Sequence, residues 1–146
     1  MIRQANKFDK PDIIDMLRLF RDESPFEDYK HLENVDYINK LLDEILAGKG
    51  IIFIKPNAGI IIGLIAPTIW SDKIYLMQEL AWFVKPEYRK STTGYRLLKA
   101  YFEYAKELKK QNRIKFYTIS RMITSPKFNY EKYGFKKIEE SWISHD

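Results

Sequence analysis

Apolar residues recur along this chain with two different periods, and the change of period divides it into elements. Ile13, Ile14, Leu17 and Phe20 stand at helical spacing, with Asp9 placed as cap, Pro11 in the first turn and Asp12 three residues after the cap. A loop from Asp22 to Glu33 follows and contains Pro25. Asn34 caps a second predicted helix that carries Ile38, Leu41, Leu42, Ile45 and Leu46 on one face and stops at Gly48. From Gly50 the pattern changes to that of strands: Ile51–Lys55, a turn at Pro56-Asn57-Ala58-Gly59, then Ile60–Thr68. Ser71-Asp72 reverses the chain into a long strand, Lys73–Val84. The helical period returns over Thr93–Gln111, where Leu97, Leu98, Tyr101, Ala105 and Leu108 form the buried stripe. Ile114–Ser120 reads as a strand, Ser125-Pro126 opens a short fourth helix ended by Gly134, and Lys136–Ile143 reads as a last strand. With a short first strand at Met1–Ala5, the order is β-α-α-β-β-β-α-β-α-β: one α/β domain over residues 1–146, without repeat or linker.

Composition narrows the class without naming a function. A chain of 146 residues, 45% hydrophobic and 31% charged, suits one soluble domain with a real core. Cysteine is absent, which excludes disulfides, thiolate metal sites and a cysteine acyl-enzyme. The N-terminus meets charge at Arg3, and the longest apolar run, Ala58 to Pro67, falls far short of the roughly 20 residues that span a bilayer. The expectation is a cytoplasmic protein with no membrane partner. The net charge of +5 hides an asymmetry: residues 85–115 carry ten Lys/Arg against three Glu, and residues 22–46 carry eight Asp/Glu against two Lys. One segment is prepared for anions and the other for cations.

The basic segment coincides with a strand, a short loop and a helix start. Backbone N–H groups at a helix N-terminus lack intrahelical partners, and the helix dipole is positive there. With Arg89, Lys90, Ser91, Thr92, Thr93 and Gly94 at that opening, the segment reads as an anion socket for a phosphate or pyrophosphate. Glu79 lies upstream on the feeding strand, in the alternating row Tyr75, Met77, Glu79, Ala81, Phe83. A carboxylate among apolar neighbours has a tunable pKa and can serve as a base; the alternative is a structural ion pair with a Lys or Arg on a neighbouring strand. An anion cradle beside a strand-borne carboxylate suggests an enzyme that handles a phosphorylated cofactor. His31 and His145 are too few and too separated for a metal site, so none is expected. Gly48-Lys49-Gly50 is not a nucleotide P-loop, and there is no G-x-S-x-G elbow. Lys106, Lys109, Lys110, Arg113 and Lys115 read better as a solvated helix end than as a nucleic-acid track.

The stretch from Gln78 to Leu98, QELAWFVKPEYRKSTTGYRLL, resembles the acetyl-CoA-binding motif of the GNAT family of N-acetyltransferases, in wording closest to phage-encoded members. Asn129-Tyr130-Glu131-Lys132-Tyr133-Gly134-Phe135 is similar to the family's tyrosine and glycine-phenylalanine segment. The resemblance implies a mixed, mostly antiparallel sheet of about six strands with four helices, and acetyl-CoA as co-substrate. It implies Glu79 as general base, Tyr130 as general acid toward the coenzyme thiolate, and backbone groups of Phe83 and Val84 on the pantetheine arm and thioester oxygen. The loop departs from the family pattern at Thr92, where the first glycine usually stands, and Ile123 replaces an asparagine. Direct transfer to a primary amine in a ternary complex follows from the resemblance. In the family the first two helices border the acceptor; here the acidic Asp22–Glu44 segment lies there, which predicts a cationic acceptor, a polyamine-like molecule or a lysine-rich protein patch. A single final strand would leave an open edge, which suggests a homodimer. The rivals are a catalytically silent module that holds coenzyme or a host protein, and a protein acting on RNA-linked acceptors.

Overall fold

The computed structural model describes residues 1–144. Five strands form one sheet in sequence order: β1 (Arg3–Gln4), β2 (Gly50–Lys55), β3 (Gly59–Thr68), β4 (Ser71–Val84) and β5 (Phe116–Thr118). The first three pairings are antiparallel and β4–β5 is parallel, as a return through a helix requires. Among the described residues three α-helices, α1 (Lys10–Asp22), α2 (Val35–Glu44) and α3 (Thr93–Lys110), cover the faces.

Local sequence explains most of these limits. Asn34 caps α2 by accepting from the Tyr37 N–H at 3.1 Å, as its position predicts. The α1 entry differs from expectation. Asn6, not Asp9, is the cap of a short 3₁₀ turn leading into α1, and Asp9 is its reciprocal partner, accepting from the Asn6 N–H at 2.8 Å and from both Arg3 nitrogens. Beyond α2 a wide turn over Ile45–Lys49 ends at Gly48, whose φ of +122° suits glycine. Gly50 is needed for another reason: a Cβ there would stand 2.0 Å from the Gly63 carbonyl oxygen.

Two apolar layers result. α1 and α2 pack Ile13, Met16, Leu42 and Ile45 against Ile52, Ile54, Ile60, Ile62, Ala81 and Phe83. On the other face α3 packs Leu97, Leu98, Tyr101 and Leu108 against Ile51, Ile61, Met77 and Val84. Met77 and Ala81 therefore face opposite layers, although they share parity in the sequence. The cause is a β-bulge: Glu79 stands opposite Gly63 and Ala81 opposite Ile62, so Leu80 is an extra residue. The row expected to run unbroken from Tyr75 to Phe83 is two half-rows on opposite faces.

The C-terminal part is less regular than expected. The fourth helix is only a 3₁₀ turn, Glu131–Tyr133, closed by Gly134 at φ +89°. Residues 136–144 form no strand. The apolar side chains there, Ile138 and, past charged and polar residues, Trp142 and Ile143, all stay exposed, so that segment buries no face. Among the described residues the sheet thus has five strands, not six, and the final strand that suggested a homodimer is not formed. Among the described residues no helix is long and apolar enough to cross a membrane.

Candidate functional site

β4 and β5 stay paired only from Leu76–Phe116 to Gln78–Thr118. Past that point, at the bulge, the strands part and a cavity of about 270 Å³ opens between them. Its walls come from the end of α1 (Phe20, Glu23), from β4 (Glu79, Trp82, Phe83, Val84), from the loop into α3 (Arg89, Ser91, Gly94) and from the segment after β5, including Ser120, Arg121, Met122, Lys127 and Tyr130. Tyr101 pins the strands just below the parting, its hydroxyl donating to the Thr118 carbonyl at 2.7 Å.

Glu79 sits at the floor of the opening, 7% exposed. Its one hydrogen-bond partner among the described residues is the Ser120 N–H, at 3.0 Å on Oε1; no Lys or Arg pairs with it, so the structural ion-pair alternative is not what is found. Burial outweighs that hydrogen bond and pushes the carboxyl up to about 7. Tyr130 lines the same cavity, and its hydroxyl has no hydrogen-bond partner among the described residues. Burial first, and then the Glu79 charge, raise the phenol to about 12, while Arg121 pulls it down. The Trp82 ring packs edge-on against Phe128 and Tyr130, and its buried Nε1 has no partner among the described residues. Tyr133, by contrast, stacks on Phe128 within an aromatic cluster with Phe102 and Tyr95, a packing residue.

The upper edge of β4 faces the opening with its peptide groups. The Lys85 N–H bonds the Ala58 carbonyl across to β3, so alternation turns Val84 and Trp82 toward the parted side and Phe83 toward Ile60. Val84 thus has the orientation the sequence suggested; Phe83 does not, and contributes its buried ring instead. The Val84 carbonyl already accepts from Arg89 Nε at 2.8 Å.

At the start of α3, Thr92 adopts φ −83° and ψ 3°, a conformation that asks for no glycine. Thr92 and Lys90 are exposed, whereas Thr93 is 2% exposed and its hydroxyl meets Ser91 Oγ at 2.9 Å. Ser91 Oγ accepts from the Thr93 N–H, while the N–H groups of Thr92, Gly94 and Tyr95 have no partner among the described residues. These free donors stand at the helix start where the sequence reading places an anion socket. A Cβ at Gly94 would meet the Trp82 and Val84 side chains at ordinary contact distance, 3.6 Å or more.

The Arg89 side chain lies elsewhere than in that socket. Its Nη2 bonds both Glu23 oxygens at 2.6 and 2.7 Å, and the guanidinium stands 5.6 Å from the Phe83 ring. The Glu23 carbonyl in turn accepts from Thr124 Oγ1 at 2.7 Å. Glu23, assigned by the sequence to the acceptor-facing acidic segment, ties the two lips of the cleft together at the end of α1. Other acidic residues of that segment are also paired: Asp22 with Arg21, Glu27 with Lys30, Glu33 with Arg18 and Arg21, Asp43 with Lys10, Glu44 with Lys49. Asp28 and Asp36 are left without ion pairs among the described residues. Sequence reasoning missed Ser120 and Arg121 as site residues and placed Glu23 on the acceptor side, because no spacing rule joins them to Glu79 or Arg89.

A model of the acetyltransferase (GNAT) family matches residues 13–135. No curated protein matches the chain. Among solved structures, an acetyltransferase of Trypanosoma brucei aligns at a TM-score of 0.67 and 16% identity, over 98% of this chain and 96% of that one. A predicted acetyltransferase with acetyl-CoA from Clostridium acetobutylicum aligns at 0.66 and 16%, over 100% and 95%. An aminoglycoside acetyltransferase from an uncultured soil metagenomic sample, in complex with sisomicin, aligns at 0.66 and 13%, over 100% and 96%. At these identities the likeness is one of fold, and the resemblance to phage-encoded members finds no support in them.

Proposed function

Because the chain belongs to the GNAT acetyltransferase family, we propose that it transfers an acetyl group from acetyl-CoA to an amine directly, in a ternary complex. The observation that carries this reading is the meeting of Glu79 and Tyr130 in one cavity, at the parting of β4 and β5, with unpaired N–H donors of the α3 start on the same cleft. The free N–H groups of Thr92, Gly94 and Tyr95 suit the coenzyme's pyrophosphate, and the cleft-facing peptide edge of Trp82 and Val84 suits its amide-bearing arm. That one fold neighbour is described with acetyl-CoA agrees with this assignment.

In the proposed reaction the amine nitrogen attacks the thioester carbonyl carbon, the C–S bond breaks, and the amine proton passes to Glu79 directly or through water. A carboxyl near 7 is matched to that task at neutral pH. Tyr130, at about 12, holds its proton against a thiolate whose thiol has a pKa of roughly 8.5, so it stabilises the leaving sulfur by donating a hydrogen bond. Proton uptake by Glu79 removes one of the charges that raise the Tyr130 phenol, which makes it a better acid as the thiolate forms. With no cysteine in the chain, the strongest acyl-carrying nucleophile is missing, in keeping with direct transfer.

The test is a pH–rate profile with a panel of primary amines. Wild-type activity should rise through about pH 7 as Glu79 loses its proton. Glu79→Gln should lose about 10²–10⁴ in rate and recover partly at high pH, where free amine is abundant. Tyr130→Phe should lose activity with no such recovery. An active wild type whose rate neither substitution changes would leave both residues structural.

A further inference from the structure

We infer that the acceptor is a small amine carrying a carboxylate near its nitrogen, an amino-acid-like molecule, and that Arg121 selects it. This rests on the acetyl-transfer reading above and adds the acceptor's chemical class to it.

The charges lining the cavity argue for that class. The Glu23 carboxylate is spent on the Arg89 guanidinium in a two-oxygen contact, so neither side chain offers a free charge. Glu79 is the floor of the site and must be free to take a proton. What remains is Arg121 and Lys127, both on the cavity wall, both exposed, and neither in an ion pair or hydrogen bond among the described residues. The acidic segment that would have drawn a polycation has most of its carboxylates held by neighbouring Lys and Arg. The opening is therefore cationic where a cationic acceptor would have to enter, and like charges at close range repel.

Position separates Arg121 from the coenzyme's own phosphates. It directly follows Ser120, whose N–H holds Glu79 at 3.0 Å, and its charge is felt by the Tyr130 phenol. Arg121 thus belongs to the reacting end of the cleft. The anion socket lies at the α3 start, and in the coenzyme the whole pantetheine arm separates phosphate from sulfur. A guanidinium at the reacting end presents a planar fork that suits a carboxylate, which would dock the acceptor with its amine toward Glu79.

The experiment compares acceptors that differ only by the carboxylate: phenylalanine with phenethylamine, and ornithine with putrescine. Wild type and Arg121→Gln are first titrated with acetyl-CoA and should bind it equally, and kcat and KM are then measured for each pair. Wild type should favour the carboxylated member by tenfold or more in kcat/KM. Arg121→Gln should erase that preference mainly through KM, and Arg121→Glu should reverse it. Wild type that acetylates the decarboxylated members better, or neither member of any pair, overturns the assignment. A preference that survives in Arg121→Gln overturns the role of Arg121, as does a loss of acetyl-CoA affinity, which would place the residue on the coenzyme side. Wild type that fails to bind acetyl-CoA defeats the transfer reading itself and takes the acceptor assignment with it.

Discussion

Burial lifts the Glu79 carboxyl to about 7, so between the ordinary carboxylate range and neutrality the folded chain keeps a proton that the unfolded chain has released. Where the native state binds more protons, stability falls as pH rises. The contribution is intact below the unfolded pKa near 4.5 and is lost as pH climbs through about 7. Over the full window it amounts to ~3 kcal/mol at about 1.4 kcal/mol per unit. Glu79→Gln keeps an oxygen for the Ser120 N–H and removes the ionisation. Its melting temperature should therefore exceed that of wild type at pH 8 and converge with it at pH 5, while activity falls. Thermal melts of both proteins at the two pH values check this, and parallel pH dependence would refute the burial argument. At this scale residue type was readable: Glu79 and Tyr130 stand out in the sequence, and the structure brings them to one cavity. Their surroundings were not readable, because Ser120, Arg121 and Glu23 arrive from separations of dozens of residues that leave no local pattern.

Among the elements, the end of α1 and the loop into α3 act through one contact, the Glu23–Arg89 pair, with both side chains about one-third exposed or less. Exposed pairs contribute little, but this one also fixes the Val84 carbonyl through Arg89 Nε and receives Thr124 on the Glu23 carbonyl. Glu23→Ala and Arg89→Ala should each weaken acetyl-CoA binding several-fold. The double variant should be no worse than either single one, since both remove the same bridge. Additive losses in calorimetric titrations would show two independent roles. Charge reversal at Glu23, placed by sequence on the acceptor side, should therefore disturb coenzyme binding as well. The misplacement has a plain cause: charge runs report a segment's total, not which carboxylates are already held by neighbours. The same blindness affects β4, where strict alternation of buried residues concealed the extra residue at Leu80.

For the whole molecule, the order of elements up to α3 was legible, since long periodic segments with Asn34 and Gly48 as punctuation leave little choice. The region after Ile114 was not, because its aromatic residues pack on α3 one by one without a repeating face. A ligand that binds only the folded chain stabilises it by about 2.7 kcal/mol at a hundred times its Kd, so acetyl-CoA should raise the melting temperature by roughly 5–10 °C. No shift at millimolar acetyl-CoA would leave the cleft without its proposed occupant. The bulge carries a consequence for chain length. Removing a residue from a strand ordinarily turns everything beyond it to the wrong face. At the bulge in β4 the reverse holds: without Leu80, Glu79 would remain opposite Gly63 and Ala81 opposite Ile62, with both layers still matched. That deletion should yield a folded protein with a straighter strand and a closed cleft, blind to acetyl-CoA, whereas deleting Leu76 would turn the buried Met77 off its layer and should cost the fold most of its stability. Leu80 is thus a residue that the proposed coenzyme cleft requires and the packed core does not.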